Sequence, residues 1–318
     1  MGGTSYNSVS YRSFSSTAKS MKTDDLFTSK KARKVHDDRD PRKVKFRECR
    51  DSVVHPMSLA ILLGLDVTGS MGHIPENLIK SKLDTIIMTL MNHNVKDPAV
   101  CFCAIGDSNP RSGRLTDKEP MQIGQFESGD VELVNCMTKV WIEQGGGGQS
   151  MESYPLLYFV GARMTSIDCF EKRGQKGFLF TVGDESYHPV LTSHELKELF
   201  PLVITESIPD LAVEDIYNEV CRKYHVFHIH VNDGSYNNDP RVIDPWRKLL
   251  KQNLIILDDS NLTAETIAAT IAVTMGVDKS AVLNSVTSDS KELAVLNSAL
   301  SNIATGSVMN ITDDVVAL

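Results

Sequence analysis

Three oxygen-bearing side chains are spaced two residues apart at the end of an apolar stretch of the chain. Asp66, Thr68 and Ser70 lie in the segment LLGLDVTGSMG. Carboxylate and hydroxyl oxygens are the ligands that hard divalent cations prefer. Gly69 and Gly72 let the backbone turn tightly enough for these oxygens to converge. The spacing predicts a divalent cation site, and the alternative is a helix N-cap in which the same side chains bind only backbone amides.

The motifs of several enzyme classes are missing from this sequence. A phosphoryl-transferring aspartate enzyme needs D-x-D after its first strand, but Thr68 stands where the second acid would be. Neither the nucleotide-binding pattern G-x-x-x-x-G-K-[ST] nor the nucleophile pattern G-x-S-x-G occurs in the sequence. We therefore expect a protein that binds rather than an enzyme, and we assign no catalytic residue.

Histidine and cysteine pairs offer two weaker metal-binding candidates. His228 and His230 share one face of a predicted strand, and Cys101 and Cys103 share one face of another. In both cases we favour packing in the core over metal binding, because buried thiols and hydrogen-bonded imidazoles are common inside proteins. The six cysteines form no C-x-x-C pair. We expect them to be reduced.

The elements that must position the cation ligands alternate between strand and helix. Short apolar runs predict six strands, at 57–67, 99–106, 121–128, 177–184, 225–232 and 254–259. Helical spacing is found at 75–92, 130–143, 150–166, 193–199, 212–224, 240–252, 263–275 and 289–304. This order predicts an α/β fold with a doubly wound, mainly parallel six-stranded sheet and helices on both faces. In such a sheet, ligands bind beyond the carboxyl ends of the strands.

At this point the chain resembles the von Willebrand factor type A (vWA) domains, in particular intracellular members of bacterial or phage type. Asp66, Thr68 and Ser70 match the first motif of their metal-ion-dependent adhesion site. Asp184, in FLFTVGDES, matches the third motif, although the family pattern T-D-G is changed around it. The resemblance covers about residues 57–276, and it implies Mg²⁺ or Mn²⁺ as the cofactor.

The middle motif of that family falls in EQGGGGQSMESY, residues 143–154. Where many relatives carry Thr or Asp after the glycines, this chain has Gln149 and Ser150, with Glu152 two residues further on. Ser150 and Glu152 are our preferred ligands, and the amide oxygen of Gln149 is the alternative. The glycines at 145–148 also fit a flexible turn with no ligand role.

Charge divides the chain into a basic arm and an acidic body. The 318 residues carry a net charge of -8, but residues 1–50 hold 13 Lys/Arg and 6 Asp/Glu, a net of +7, and the remainder has -15. We expect a Ser-rich, disordered tail over 1–20 and a solvated linker over 30–50, with docking of that segment on an acidic neighbour as the alternative. A vWA-like domain would span 51–278, and a C-terminal helix and tail 279–318.

These patterns lead to one preferred function and two alternatives. The resemblance implies a metal-ion-dependent module whose cation binds an acidic residue of a partner protein. The alternatives are a structural subunit of a large cellular or viral assembly, linked through the N-terminal arm, and an adaptor of an AAA+ ATPase, which rests on family analogy alone. The sequence shows no apolar run long enough for a membrane helix and no secretory signal, so we expect a cytoplasmic protein with neither a membrane nor a nucleic-acid partner.

Overall fold

The computed structural model describes residues 6–29, 34–108, 119–142 and 150–306. The predicted ligand Gln149, the glycines at 145–148 and the tail from 307 onward lie outside these ranges. The strands are β1 (Arg47–Cys49), β2 (Leu59–Asp66), β3 (Pro98–Ile105), β4 (Met121–Gln122), β5 (Phe126–Glu127), β6 (Met151–Glu152), β7 (Thr165–Ile167), β8 (Gly177–Gly183), β9 (Ser186–Tyr187), β10 (Val190–Leu191), β11 (Leu211–Ala212), β12 (Tyr224–Val231) and β13 (Leu254–Leu257).

The helices surround these strands and connect most of them. They are α1 (Ser8–Ala18), α2 (Thr23–Leu26), α3 (His73–Asn77), α4 (Leu83–Asn92), α5 (Asp130–Thr138), α6 (Pro155–Arg163), α7 (Asp168–Glu171), α8 (Ser193–Leu199), α9 (Val213–Val220), α10 (Pro240–Leu250), α11 (Thr263–Thr274), α12 (Lys279–Val286) and α13 (Ser290–Ala299). Within the described ranges, no helix has both the length and the apolar composition needed to cross a bilayer.

The central sheet has seven strands in the order β13-β12-β8-β2-β3-β4, with β5 also paired to β3. Its five long strands are parallel, but β4 and β5 run antiparallel to β3. The α/β prediction is confirmed, and the architecture is consistent with a Rossmann-like fold. The sheet is mixed, however, and it has seven strands rather than the six predicted.

The difference arises at residues 121–128, which we predicted as one strand. The amide of Ile123 donates to the Arg39 carbonyl, 2.9 Å away, instead of to β3. A Cβ on Gly124 would lie 2.3 Å from the Phe102 carbonyl oxygen, so at this point the chain presses against β3 in a way that only glycine allows. The segment therefore breaks into the two short strands β4 and β5.

Burial on both faces explains why the sequences of the long strands are continuous apolar runs. Every residue of β2, β3 and β8 is buried, as expected for strands covered on both faces. Helix α6 packs closely on β2, because a Cβ on Gly64 would meet the Leu157 side chain at 2.6 Å. Helix α4 packs against α11 and β3. Both cysteines of β3 are buried in this core, as predicted.

The predicted helix over 75–92 is present but irregular. A 3-10 turn over Gly69–Gly72 leads into α3, and a π-helical turn over Leu78–Lys82 joins α3 to α4. The last amide of that turn, from Leu83, donates to the carbonyl of Leu78, five residues earlier. A turn of this kind contains one residue more than an α-helical turn and is found frequently at functional sites.

The expectation of a disordered tail and a solvated linker at the N-terminus is wrong for the residues that the structure describes. Ser8–Ala18 form α1, whose Tyr11 is 2% exposed. Arg39 is 1% exposed, and its guanidinium donates to the Phe102 and Cys136 carbonyls at 2.5 and 2.9 Å. The predicted disorder fails because a few apolar and aromatic side chains among many serines are enough to anchor the arm on its own body.

Candidate cation site at the carboxyl edge of the sheet

The neighbouring strands β2 and β8 are the point at which the strand order reverses. From β2 the chain continues to β3 on one side, and from β8 it continues to β12 on the other. Such a switch point opens a crevice at the carboxyl ends of the strands. Asp66 is the last residue of β2, and Asp184 directly follows β8. The fold therefore brings these two predicted ligands to the same crevice.

Asp66 is held in this crevice by amide and hydroxyl groups. Its Oδ1 accepts hydrogen bonds from the Thr68 amide at 2.8 Å and the Thr68 hydroxyl at 2.6 Å, and its Oδ2 accepts one from the Tyr154 hydroxyl at 2.8 Å. The side chain is 1% exposed. Burial raises the pKa of Asp66 above its usual range, and repulsion from Asp184 adds to this, although the three hydrogen bonds act in the opposite direction.

Thr68 adopts an arrangement that suits both a capping and a ligand role. Its hydroxyl proton points to Asp66, which leaves the oxygen lone pairs free to accept a further interaction. Ser70 lies in the 3-10 turn Gly69–Gly72, and its side chain is outside what the structure describes. If these side chains served only as a helix N-cap, the Thr68 side chain would accept a hydrogen bond from a backbone amide of the following turn. It makes no such capping bond.

Asp184 is fixed from the far side of the crevice by the loop after β12. The Ser235 amide donates to Oδ2 of Asp184 at 2.6 Å, and the carboxylate is 2% exposed. A Cβ on Gly234 would lie 2.4 Å from the same oxygen. The loop can approach this closely only because residue 234 has no side chain.

The segment predicted to hold the middle motif also reaches this edge. Residues 151–152 form β6 and pair in parallel with β9, two residues after Asp184. The Ser150 carbonyl accepts from the Ser186 amide at 3.1 Å, and the Glu152 side chain is 1% exposed. The predicted helix over 150–166 is shorter than expected, because its first residues are used in this pairing and α6 begins only at Pro155.

Glu185 joins this acidic group, and the sequence analysis did not identify it. Burial raises its pKa, as do the charges of Asp66, Asp184 and Asp107, while a hydrogen bond with Glu152 acts to lower it. Glu185 stands directly beside Asp184 in the sequence. The sequence therefore shows Glu185 next to a predicted ligand. By itself, however, this acid indicates only a change from the family pattern T-D-G.

Asp107 is a second residue that the sequence analysis missed. It follows β3, and its Oδ1 lies 2.6 Å from Nε2 of His188 in a pair that is almost completely buried. Asp107 lies two residues beyond the end of β3, so it follows an apolar strand, as Asp184 does. The rule that drew attention to Asp66 applied here as well.

An aromatic layer lies beneath the carboxylates. Trp246 stacks on His228 with ring centroids 3.8 Å apart, and Tyr154 and Tyr187 meet the indole edge-on. The Nδ1 of His228 hydrogen bonds to the Thr181 hydroxyl at 2.8 Å. His228 and His230 are both 0% exposed. Both histidines thus lie in the core, and the prediction that they pack there rather than bind a metal stays a prediction.

The donor chemistry of this edge suits a hard cation. Carboxylates and hydroxyls dominate, and burial, with repulsion between neighbouring acids, raises the pKa values of Asp66 and Glu185. A positive charge beside these two acids would favour their ionised forms. In the described ranges, no three His, Cys, Asp or Glu side chains are grouped closely enough to hold a metal by themselves. A complete ligand set would therefore need hydroxyl oxygens as well as the carboxylates.

Comparison with known proteins adds only a distant likeness. No family model matches the chain, and no curated protein matches it significantly. Solved structures similar to it include the pilus adhesin SpaC from Lactobacillus rhamnosus GG, at 11% identity and a TM-score of 0.43, and the conserved hypothetical protein BatB from Bacteroides thetaiotaomicron, at 11% identity and a TM-score of 0.33. The matched regions cover 72% of this chain and 32% of SpaC, and 67% of this chain and 97% of BatB. The chain thus spans about a third of the length of the adhesin.

Proposed function

We propose that this chain is a vWA-type protein-binding module that depends on a divalent cation, Mg²⁺ or Mn²⁺, at the carboxyl edge of its sheet. The observation that carries the proposal is the convergence of Asp66 and Asp184, two buried carboxylates at the ends of the strands that flank the switch point. Asp66 is held by amide and hydroxyl donors, and none of its described hydrogen bonds comes from a Lys or Arg. A cation would offset the charge of Asp66, which amide and hydroxyl donors alone balance among the described residues.

The ligands we assign are the residues of the sequence motif, and the positions of Asp66, Thr68 and Asp184 at this edge support the assignment. Thr68 and Ser70 would contribute hydroxyl oxygens, with Asp66 and Asp184 binding the cation directly or through water. For the middle motif, Glu152 offers a buried carboxylate beside Glu185, and Ser150 offers a hydroxyl at the start of β6. We keep both residues as candidate ligands.

A carboxylate of a partner protein would complete the coordination of the cation. The cation would keep one coordination position open, and an acidic side chain from outside would make a charge-assisted contact there that exists only when metal is bound. The activity we infer is therefore recognition of an acidic residue on another protein, and we assign no catalytic step to this edge.

Partner capture with and without a chelator tests this function. We expect the full chain, used as bait, to retain its partner in Mg²⁺ and to release it in EDTA. The variant Asp66→Asn, which keeps the shape of the side chain but removes its charge, should behave in Mg²⁺ as the wild type does in EDTA. Asp239→Asn is the matched control, since Asp239 is an acid of a neighbouring loop that pairs with the exposed Arg241. Equal retention of the partner by the wild type in Mg²⁺, the wild type in EDTA, Asp66→Asn in Mg²⁺ and Asp239→Asn in Mg²⁺ would contradict the proposal.

A structural subunit of an assembly is a second candidate, favoured by an exposed apolar patch. Val53 is 100% exposed, Val54 51%, and Met57 and Met91 44% and 46%. Val54 and Met91 line one small cavity of about 90 Å³. Large exposed apolar side chains that cluster are typical of contact surfaces.

The same patch supplies a test of that candidate. The double variant Val54→Ser, Met91→Gln should lower the mass measured by light scattering if this surface joins copies of the chain. Deletion of the arm is a poor test, because it would also uncover the core on which Tyr11 packs. An unchanged monomeric mass for wild type and variant would exclude self-assembly through this patch.

A further inference from the structure

The N-terminal helix places a hydroxyl group inside the irregular turn of the helix that follows the cation loop. The Tyr11 hydroxyl lies 3.3 and 3.2 Å from the carbonyl oxygens of Leu78 and Ile79, to which it donates, and it accepts from the Leu83 amide at 3.2 Å. These groups belong to or border the π turn Leu78–Lys82. The tyrosine hydroxyl thus shares the carbonyl of Leu78 and the amide of Leu83, the two groups whose hydrogen bond closes the π turn.

Further contacts from the arm converge on the same stretch of helix. The Ser15 hydroxyl donates to the Lys80 carbonyl, so a second arm side chain binds the turn. Lys80 in turn donates to the Met21 carbonyl at 2.8 Å. The Thr23 hydroxyl donates to Glu76 at 2.8 Å, one turn nearer the cation loop. Hydrogen bonds therefore join the arm to the helical segment from residue 76 to residue 83.

One end of this helix is fixed in the core, and the other carries the cation loop. Leu83, Ile86 and Leu90 of α4 are all 0% exposed and pack in the core with α11. The opposite end continues through α3 into the turn Gly69–Gly72, which holds Ser70 and follows Thr68. A change of the π turn to regular α-helical pairing would remove one residue from the turn. Ile74 of α3 is buried as well, but α3 has five residues whereas α4 has ten and packs along α11 and β3. We therefore infer that α3 and the loop would take up the resulting shift.

We propose that Tyr11 is a positioning residue for the cation site: by filling the π turn, it holds α3 and the loop before it in the register that presents Thr68 to the cation. The arm is then a built-in regulator, and anything that lifts it from the body would weaken cation binding. This inference deepens the proposed function and rests on it for the cation itself, but the mechanical link through the helix stands on the contacts above.

The test uses the full chain and compares two arm tyrosines. Tyr11→Phe removes only the hydroxyl in the π turn. Tyr6→Phe is the matched control, because the Tyr6 hydroxyl donates to the Asp84 side chain at 3.2 Å and not to the turn. Mn²⁺ affinity is measured by electron paramagnetic resonance, and backbone hydrogen exchange is followed in peptides covering 67–77 and 78–83. Ser15→Ala serves as a second variant of the turn.

We expect Tyr11→Phe to weaken Mn²⁺ binding about fivefold or more, the lower end of typical coupling between sites, and Tyr6→Phe to leave it within about twofold. Exchange in both peptides should rise in Tyr11→Phe and, less strongly, in Ser15→Ala. A purely structural role would lower thermal stability without moving the Mn²⁺ affinity, and that result would overturn the proposal. If the wild type binds no Mn²⁺, the proposed function fails, and unchanged exchange over 67–77 in Tyr11→Phe would then overturn the mechanical link independently.

Discussion

Asp66 and Asp168 are both 1% exposed, yet their surroundings treat the negative charge in opposite ways. Asp168 accepts hydrogen bonds from Arg50 at 2.9 Å, from the Asp51 amide at 2.8 Å and from Lys172 at 2.6 Å. Burial acts to raise its pKa, but these bonds outweigh burial and lower the pKa to about 2. Among the described residues, Asp66 accepts hydrogen bonds from one amide and two hydroxyl groups, and burial raises its pKa.

The difference separates an acid that serves the fold from one that is available to a ligand. Asp168 begins α7, and its cationic neighbours tie that helix to the segment leading into β2. At the carboxyl edge, no Lys or Arg of the described ranges donates a hydrogen bond to the buried carboxylate of Asp66. Uncompensated titratable groups of this kind concentrate at functional sites.

The largest expected effect is the change in unfolding free energy when either aspartate is replaced by asparagine, measured in EDTA. Asp168→Asn should destabilise the fold by about 3 kcal/mol, because it weakens several charge-assisted hydrogen bonds to a side chain that is itself buried. Asp66→Asn should cost less than about 1 kcal/mol, because it removes a charge that no cation compensates. Urea unfolding of both variants measures the two values. If Asp66→Asn lowered the free energy of unfolding more than Asp168→Asn does, the proposed difference between the two acids would be wrong.

The pH dependence of the Asp168 contribution follows from the sign of its shift. A folded-state pKa below the unfolded value means that the contribution is complete above about pH 4 and is lost as the pH falls toward 2. The stability difference between wild type and Asp168→Asn should therefore shrink across that window and stay constant from pH 5 to 7. Unfolding curves collected at half-unit steps check this. A difference that persists at pH 2 would mean that the side chain contributes through shape rather than charge.

A glycine substitution tests how tightly the carboxyl edge is assembled. A Cβ on Gly183 would lie 2.0 Å from the Tyr154 hydroxyl oxygen and 2.9 Å from Oδ2 of Asp66. Gly183→Ala should cost about 2 kcal/mol, since overpacking forces neighbouring groups to move. Gly72→Ala is the control within the cation loop, where the nearest atom is a side-chain methyl of Ile142 at 3.2 Å. Similar thermal unfolding for the two variants would show that the edge yields more easily than the distances indicate.

The smallest effect concerns the hydroxyl donor of Asp66. Tyr154→Phe should lower stability by about 1 kcal/mol, the net value of a typical hydrogen bond. Its ring contacts with His228 and Trp246 should be kept, because only the hydroxyl is lost. Near-ultraviolet circular dichroism checks that the aromatic layer is intact, and urea unfolding gives the energy. A loss of about 3 kcal/mol or more would show that the phenol does more than donate one bond.

The order of the main strands and the residues at their ends could be predicted from the sequence, because both depend on local patterns. Apolar runs that end in polar residues identified β2, β3, β8, β12 and β13. Asp66 was found for the same reason, since it closes such a run. Asp184 came from a match to a family motif.

What the sequence could not supply depends on contacts between distant segments. The break between β4 and β5 is caused by the close approach of Gly124 to Phe102, and no local pattern records it. The π turn is invisible in a regular apolar spacing, and its stabilisation needs Tyr11, which is 67 residues away from Leu78. The N-terminal arm has a polar composition, and only its packing against the body shows that it is folded.

Direct titration of the full chain with Mn²⁺ tests the central claim of a cation at the carboxyl edge. We predict that the wild type binds one Mn²⁺ per chain and that Asp66→Asn weakens the affinity by at least about tenfold. Asp168→Asn should keep the wild-type affinity, because its acid serves the fold at the other end of the sheet. The same Mn²⁺ affinity in the wild type and in Asp66→Asn, or no binding by the wild type, would contradict the claim.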